Sequence, residues 1–269
     1  MMDVKLVICD IDATLVNEKK ELMPRTKQAI IELHKRGIYF GIASGRPVDE
    51  LKKNKDYWNL DFDFDFVMGM NGAELWDNIH QKEYSYFKMK KEWLKETIDL
   101  MKPIECNPFV YWDGKIRCVY VDEMMKHSAS TSHKELEVVD ISKLYENENA
   151  KIMFRMKEED MPKAEQLVAL HPNPYYVGFK TQSTLLEFCD RRINKGYGLQ
   201  KICEFNDFNI ENVVAFGDTT NDNEMLKKAG LGVCMKNGSE DTKSISDAIT
   251  EFDNNHDGLG IYVEKYILR

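Results

Sequence analysis

The sequence predicts an α/β protein: a parallel-sheet core whose two halves flank an inserted α+β region. Three observations carry this reading. Short apolar stretches alternate with helical ones at both ends of the 269-residue chain, and strand–helix–strand alternation with apolar strands means a parallel sheet. The middle of the chain switches to alternating, hairpin-like stretches. The length suits one large domain or two ordinary ones.

Taken in order, KLVIC (5–9) reads as a buried strand. Pro24 to Arg36 reads as a helix, with Pro near its start, Gly37 just past its end, and Ala29, Ile30 and Leu33 on one face. IYFGI (38–42) is a second strand, Val48 to Trp58 a short charged helix, and FDFVMGM (64–70) a third strand, followed by Asn71-Gly72. GAELWDNIHQKEY reads as a hairpin turning at Asp77-Asn78. A helix is expected near 90–102, where Trp93, Leu94, Ile98 and Met101 share a face. FVYWDGKIRCVYV (109–121) forms two strands around Asp113-Gly114. KIMFRM (151–156) is a strand, EEDMPKAEQLVAL a helix, and YYVGFKTQSTLLEFC further strands. The α/β texture then returns: a helix over Gly196 to Phe205, a strand at NVVAF (212–216), a helix over Asn223 to Ala229, and a strand at LGVC (231–234). The expected domains are 1–83 plus 189–269 for the core and 84–188 for the insertion.

Composition narrows the function classes. The net charge is −9, with Lys and Arg scattered and no dense basic block, which disfavours nucleic acid as a partner. No apolar run approaches the roughly 18 residues of a membrane helix. The first residues, MMDVKLVICDIDATL, carry an acid inside the first apolar run and no small-residue cleavage site, unlike a signal peptide. A cytoplasmic protein without membrane or nucleic-acid partners, monomeric or weakly dimeric, is expected. The six cysteines form no C-x-x-C pair and read as reduced core residues. The histidines show no catalytic pattern. Tyr111, Trp112, Tyr175 and Tyr176 read as core or surface of the inserted region.

Four segments carry chemistry. In LVICDIDATLV, Asp10 and Asp12 lie two apart at a strand end, so both can face one point. That edge of a parallel sheet is where ligands bind, and one acid could serve as nucleophile with the other as acid/base. Alone, the pair would read as a solvated turn. GIASGRP places Ser44 at the next strand edge, where its hydroxyl and nearby backbone N–H groups suit phosphate oxygens. In DRRINKGYGLQ, Lys195 stands at a helix start, where a cation and the helix N-terminus favour an anion. VVAFGDTTNDNEMLKKAG brings Asp218, Asn221 and Asp222 together after a strand. Clustered carboxylates there suit a hard cation such as Mg2+. Acids for a metal, a hydroxyl and an ammonium for phosphate, and a spare acid make a set fit for phosphoryl transfer.

These segments resemble, in order, the four motifs of the haloacid dehalogenase-like phosphatase superfamily. D-x-D-x-T matches Asp10, Asp12 and Thr14; the Ser/Thr motif matches Ser44; the Lys motif matches Lys195; G-D-x-x-N-D matches Gly217, Asp218, Asn221 and Asp222. MNGA after the third strand, NDNEMLKKAGLGVCMKN and DNNHDGLG are similar to the Cof-type branch. The resemblance implies a Rossmann-like core with an inserted α+β cap of the C2B type. It implies a Mg2+-dependent phosphatase for small phosphorylated metabolites such as sugar phosphates. Asp10 would form an aspartyl-phosphate, and Asp12 would act as acid and then base. Mg2+ would be held by Asp10, the main-chain carbonyl of Asp12 and Asp218, with Asp222 as ligand or as orienter of a metal-bound water. Ser44, Gly45, Lys195 and Asn221 would hold the phosphoryl oxygens, with Arg46 and Asn71 as further substrate contacts and Thr14 as a brace. The alternatives are a phosphomutase or other phosphoryl transferase of the superfamily, and a non-catalytic phosphometabolite-binding protein. One residue departs from the family pattern. Ala13 stands where the family usually has Gly; a positive φ there would add about 1 kcal/mol of strain, and an ordinary φ none.

Overall fold

The computed structural model describes residues 3–269. It opens with β1 (Leu6–Asp10), α1 (Pro24–Lys35), β2 (Tyr39–Ala43), α2 (Val48–Leu51), α3 (Asn54–Tyr57), β3 (Phe66–Gly69), β4 (Glu74–Asp77) and β5 (Lys82–Ser85). Next come α4 (Lys91–Met101), β6 (Cys106–Trp112), β7 (Lys115–Cys118), α5 (Glu123–Ser132), β8 (Leu136–Val138), β9 (Lys151–Met156), α6 (Met161–Leu170), β10 (Tyr176–Gln182) and β11 (Leu185–Asp190). The last segment carries α7 (Lys195–Phe205), β12 (Val213–Gly217), α8 (Asn223–Lys228), β13 (Leu231–Cys234), α9 (Glu240–Ile245), β14 (Ala248–Ile249) and α10 (Gly258–Tyr262).

The chain divides into two compact units, one taking the residues up to Tyr84 with Asn194–Arg269, the other Ser85–Ile193. In the first, eight strands run in the order β14-β13-β12-β1-β2-β3-β4-β5. Neighbours from β14 to β3 are parallel, and β4 turns back antiparallel on β3. One core lies between β1 and β2 (Val7, Cys9, Phe40, Ile42) and Ala29, Ile30 and Leu33 of α1, closed by Leu259, Tyr262 and Val263. Each large apolar side chain buried this way contributes roughly 1.5–3 kcal/mol. Pro24 opens α1, and the Asp257 carboxylate accepts from the Thr26 N–H in its first turn. Gly37, at φ +70°, lets the chain leave it.

The second unit is a six-stranded sheet in the order β10-β11-β9-β6-β7-β8. One face packs Val110, Ile152, Phe154 and Phe188 against Leu94, Ile98 and Met101 of α4 and Met161 and Ala164 of α6. The other face buries Phe109, Ile116, Met153 and Leu185 with Met125 of α5. The α/β class therefore holds, with a mainly antiparallel α+β insertion in a parallel-sheet core. No helix of the described residues is long and apolar enough to cross a membrane.

Three details differ from expectation. The helix expected over Val48 to Trp58 is two four-residue helices. The break falls at Lys52-Lys53, where no apolar side chain anchors the turn and the Lys53 N–H tightens onto Glu50 O. The return to the first unit falls at Ile193-Asn194 rather than 188–189, because β11 stays paired with β9 and β10 beyond residue 188. The helix α5, for which no signal was read, buries Ser128 and Ser132 beside Met125 and is capped by Asp122, whose side chain accepts from the Met125 N–H.

Candidate active site

Parallel strands end at one edge, and β12, β1 and β2 are neighbours in the sheet. Their C-terminal ends deliver Asp218, Asp10 and Ser44 to that edge, with Asp10 in register with Ala43. Lys195, the first residue of α7, reaches the same place. Its ammonium is fully buried and donates to Asp10 Oδ1 and, at 2.6 Å, to Asp222 Oδ1. The α7 start is fixed by Asn194, whose side chain accepts from the Tyr197 N–H.

Asp222 is the hub of its loop. Its Oδ2 accepts from the N–H groups of Asp218 (3.0 Å) and Thr219 (3.3 Å). The side chain folds over Gly217, where an added Cβ would come within 2.5 Å of Asp222 Cβ, so only glycine fits there. Asp218 Oδ1 accepts from the Thr14 hydroxyl at 2.9 Å. Carboxylate oxygens of Asp10, Asp218 and Asp222 all lie within 4.8 Å of one another.

Asp12 turns elsewhere. The guanidinium Nη2 of Arg46 donates to both its oxygens (3.0 and 2.8 Å), and the Lys20 ammonium to Oδ1 at 2.7 Å. The two carboxylates of the D-x-D pair thus occupy different environments, one among acids, the other among cations. Ala13 between them has φ +61°, the left-handed region that costs a side-chain-bearing residue. Its carbonyl accepts from Asn237 Nδ2 at 2.8 Å.

The Ser44 loop is closed by backbone. The Arg46 N–H donates to Ser44 Oγ at 3.3 Å, the Asn71 N–H to Ser44 O, and the Met70 N–H to Arg46 O. Met70 and Asn71 both have positive φ (+50° and +55°), a strained pair of the kind that gathers at functional sites. An added Cβ on Gly45 would meet the Asn71 amide at 3.4 Å, and Asn221 Nδ2 donates to Asn71 Oδ1 at 3.4 Å. All the residues expected at the site therefore gather at one sheet edge. Lys20 and Asn237 join them without having been expected; Lys20 lies in the charged run NEKKE, and Asn237 ends the family-like stretch NDNEMLKKAGLGVCMKN without having been given a role.

The electrostatics differ across the site. Burial raises the Asp10 carboxyl well above its usual range; Lys195 opposes this, and Asp222 and Asp218 add to it. Burial and Asp222 push Asp218 up to about 6. Burial works against the Asp12 charge too, but Arg46 and Lys20 hold its carboxyl below the usual range. Lys195 stays protonated despite burial because Asp10 and Asp222 face it. Three acids share one ammonium, so the cluster is short of positive charge. Its all-oxygen donor set and that deficit fit a hard dication such as Mg2+.

A family model described as haloacid dehalogenase-like hydrolase matches residues 7–263. The chain belongs to this enzyme family. It is 28% identical over 99% of its length to 5-amino-6-(5-phospho-D-ribitylamino)uracil phosphatase YcsE of Bacillus subtilis, covering 97% of that protein. Among solved structures it is similar to TM0651 of Thermotoga maritima, with 26% identity, a TM-score of 0.85 and 97% of each chain covered. It shares the fold of the subclass IIB sugar phosphatase BT4131, with 22% identity, a TM-score of 0.82, and 98% of this chain and 99% of that one covered.

Proposed function

Within this family, we propose that the chain is a Mg2+-dependent phosphatase that hydrolyses small phosphorylated metabolites through an aspartyl-phosphate on Asp10. One observation carries the reading: the sheet edge separates a cation-poor acid cluster (Asp10, Asp218, Asp222) from an acid held by cations (Asp12). Phosphoryl transfer needs a nucleophile beside a charge-neutralising site and a separate proton carrier; Asp12, ionised between its cations, takes up its proton as the ester's negative charge arrives beside it.

Asp10 attacks phosphorus through Oδ2, since Lys195 engages Oδ1. The bond from phosphorus to the leaving oxygen breaks, and that oxygen takes a proton from Asp12. Asp12 then accepts a proton from water. The water oxygen attacks the phospho-aspartate, releasing inorganic phosphate and restoring the Asp10 carboxylate. Asp10, Asp218 and the Asp12 main-chain carbonyl would hold Mg2+, which supplies neutralisation of the phosphoryl charge. With both oxygens of Asp222 already hydrogen-bonded, its role is to orient Lys195 and the Asp218 loop. Lys195, Ser44, Asn221 and the N–H groups around Gly45 bind phosphoryl oxygens, and Thr14 braces Asp218. Arg46 and Asn71 line the substrate side.

The relative that acts on a phosphorylated ribitylamino-uracil supports a small-metabolite substrate. Six free cysteines suit the reducing cytoplasm. The test is turnover of p-nitrophenyl phosphate and a sugar-phosphate panel with Mg2+ and with EDTA. Turnover that EDTA abolishes and Mg2+ restores is expected; binding of these esters without turnover would overturn the reading.

A further inference from the structure

The loop after the D-x-D segment is built to carry one cation. Residues 17–21 form a tight turn: the Asn17 N–H donates to Glu21 O at 3.0 Å, and the Lys20 N–H to Asn17 O at 2.9 Å. The buried Asn17 side chain braces it from inside. Its Oδ1 accepts from the N–H groups of Lys19 and Glu21, both at 2.9 Å, and its Nδ2 donates to Glu21 Oε2 at 3.0 Å. The C-terminal segment holds the loop's root, where Asn254 Nδ2 donates to Val16 O at 2.9 Å. At its tip Lys20 takes φ +64°. A surface lysine in an ion pair ordinarily contributes little; this one is set by a preformed, left-handed turn that aims its ammonium at Asp12.

Arg46 is shared between two carboxylates here, its Nη1 lying 3.5 Å from Glu50 Oε1, so the solvent-facing cation at this spot is Lys20. Nη2 of Arg46 already spans both oxygens of Asp12. Lys20 is a second cation on the same carboxylate, and among the described residues Asp12 is its one ion-pair partner. The Lys20 side chain keeps 62% of its surface exposed, so a ligand can reach it. Asp12 is the group that meets the leaving oxygen in the mechanism above. A solvent-facing ammonium beside that oxygen suits an ester whose alcohol carries its own negative charge.

We propose that Lys20 is a specificity-determining residue that favours phosphate esters with a second anionic group, carboxylate or phosphate, within a carbon or two of the ester oxygen. The proposal rests on the phosphatase reading and names the class of leaving group that the same site prefers. A charge-assisted contact of this kind discriminates about tenfold or more. Any change in how Asp12 serves as acid affects matched esters alike, so the ratio between them isolates the Lys20 contact.

The experiment compares 2-phosphoglycolate with 2-hydroxyethyl phosphate, a matched pair differing in the charge of the alcohol, at saturating Mg2+. The ratio of their kcat/KM values is read for wild type, Lys20→Met, Lys20→Arg and Lys20→Glu, with melting curves to show that each folds. Lys20→Met is expected to lower the ratio about tenfold, Lys20→Glu further, and Lys20→Arg to keep it within about threefold. A ratio unchanged in Lys20→Met and Lys20→Glu overturns the proposal and leaves the phosphatase reading standing. Failure of the wild type to hydrolyse either ester or p-nitrophenyl phosphate overturns both.

Discussion

Each unit of the molecule buries a lysine, and the two lysines are treated differently. In the inserted unit, Lys151 on β9 pairs with Glu187 on the adjacent β11 at 2.9 Å, with both side chains almost fully buried. In the core, Lys195 faces Asp10 and Asp222, with Asp218 close by. The Lys151 pair joins two strands of one sheet by a direct match of charge. The Lys195 cluster holds more acid than its ammonium can balance. A buried excess of like charge is unfavourable in a structure that only has to be stable. It is useful in one that must take up a dication and a phosphoryl group.

The largest effect expected from this contrast is on rate. Replacing the proposed nucleophile, Asp10→Asn, removes the attacking oxygen and is expected to lower kcat by roughly 10^4-fold or more. The same change relieves like-charge repulsion, so the metal-free protein is expected to melt no lower than wild type. Hydrolysis of p-nitrophenyl phosphate at the wild-type rate by this variant would remove Asp10 from the nucleophile role.

Next come the two lysines. Lys195→Met and Lys151→Met each leave a buried carboxylate without its ammonium, at a cost of about 3–5 kcal/mol. Replacing both partners sharpens the comparison. Lys151→Met with Glu187→Leu is expected to recover most of the loss in a denaturant melt, because an apolar pair of similar volume can stand in for a structural ion pair. Lys195→Met with Asp222→Leu leaves Asp10 unpaired and the Asp218 and Thr219 N–H groups without their acceptor, so no recovery is expected. Equal recovery in both doubles would contradict the distinction.

A smaller effect is expected with pH. Asp218 titrates in the metal-free fold at about 6, against an ordinary 3.8. The folded form therefore holds a proton that the unfolded chain has lost. The resulting stability is fully present below the unfolded value and is lost as pH rises through about 6. The melting temperature of EDTA-treated protein should fall across this interval, and Asp218→Asn should flatten that fall. The smallest effect is at Ala13. With φ +61°, Ala13→Gly is expected to stabilise the fold by about 1 kcal/mol at most, because relief of strain outweighs the added freedom of the unfolded chain. A variant less stable than Ala13 by chemical denaturation would show the turn to be unstrained.

The site was more legible than some of the elements around it. Asp10, Ser44 and Asp218 could be assigned to one place because parallel strands end at a common edge, and each lies at or just after an apolar run. Lys195 stands at a helix start, which the helical stretch that follows it reveals. The roles of Lys20 and Asn237 were invisible because they depend on where a turn and a distant loop fold back, and no periodicity encodes that. The helix α5 was missed for a different reason. Its buried stripe includes Ser128 and Ser132 where a helix usually presents apolar residues, so the 3.6-residue hydrophobic signal is absent. The Ala13 departure was visible as a substitution, but only the backbone angle gives it a sign.

The most direct measurement is calorimetric titration of Mg2+ into the metal-free protein at a pH near 6, in two buffers of different ionisation enthalpy, for wild type and Asp218→Asn. The acid excess predicts saturable binding by the wild type with net release of protons, because a cation displaces the proton held at Asp218, and a marked loss of both in the variant. Binding that releases no proton, or that survives unchanged in Asp218→Asn, would contradict the account.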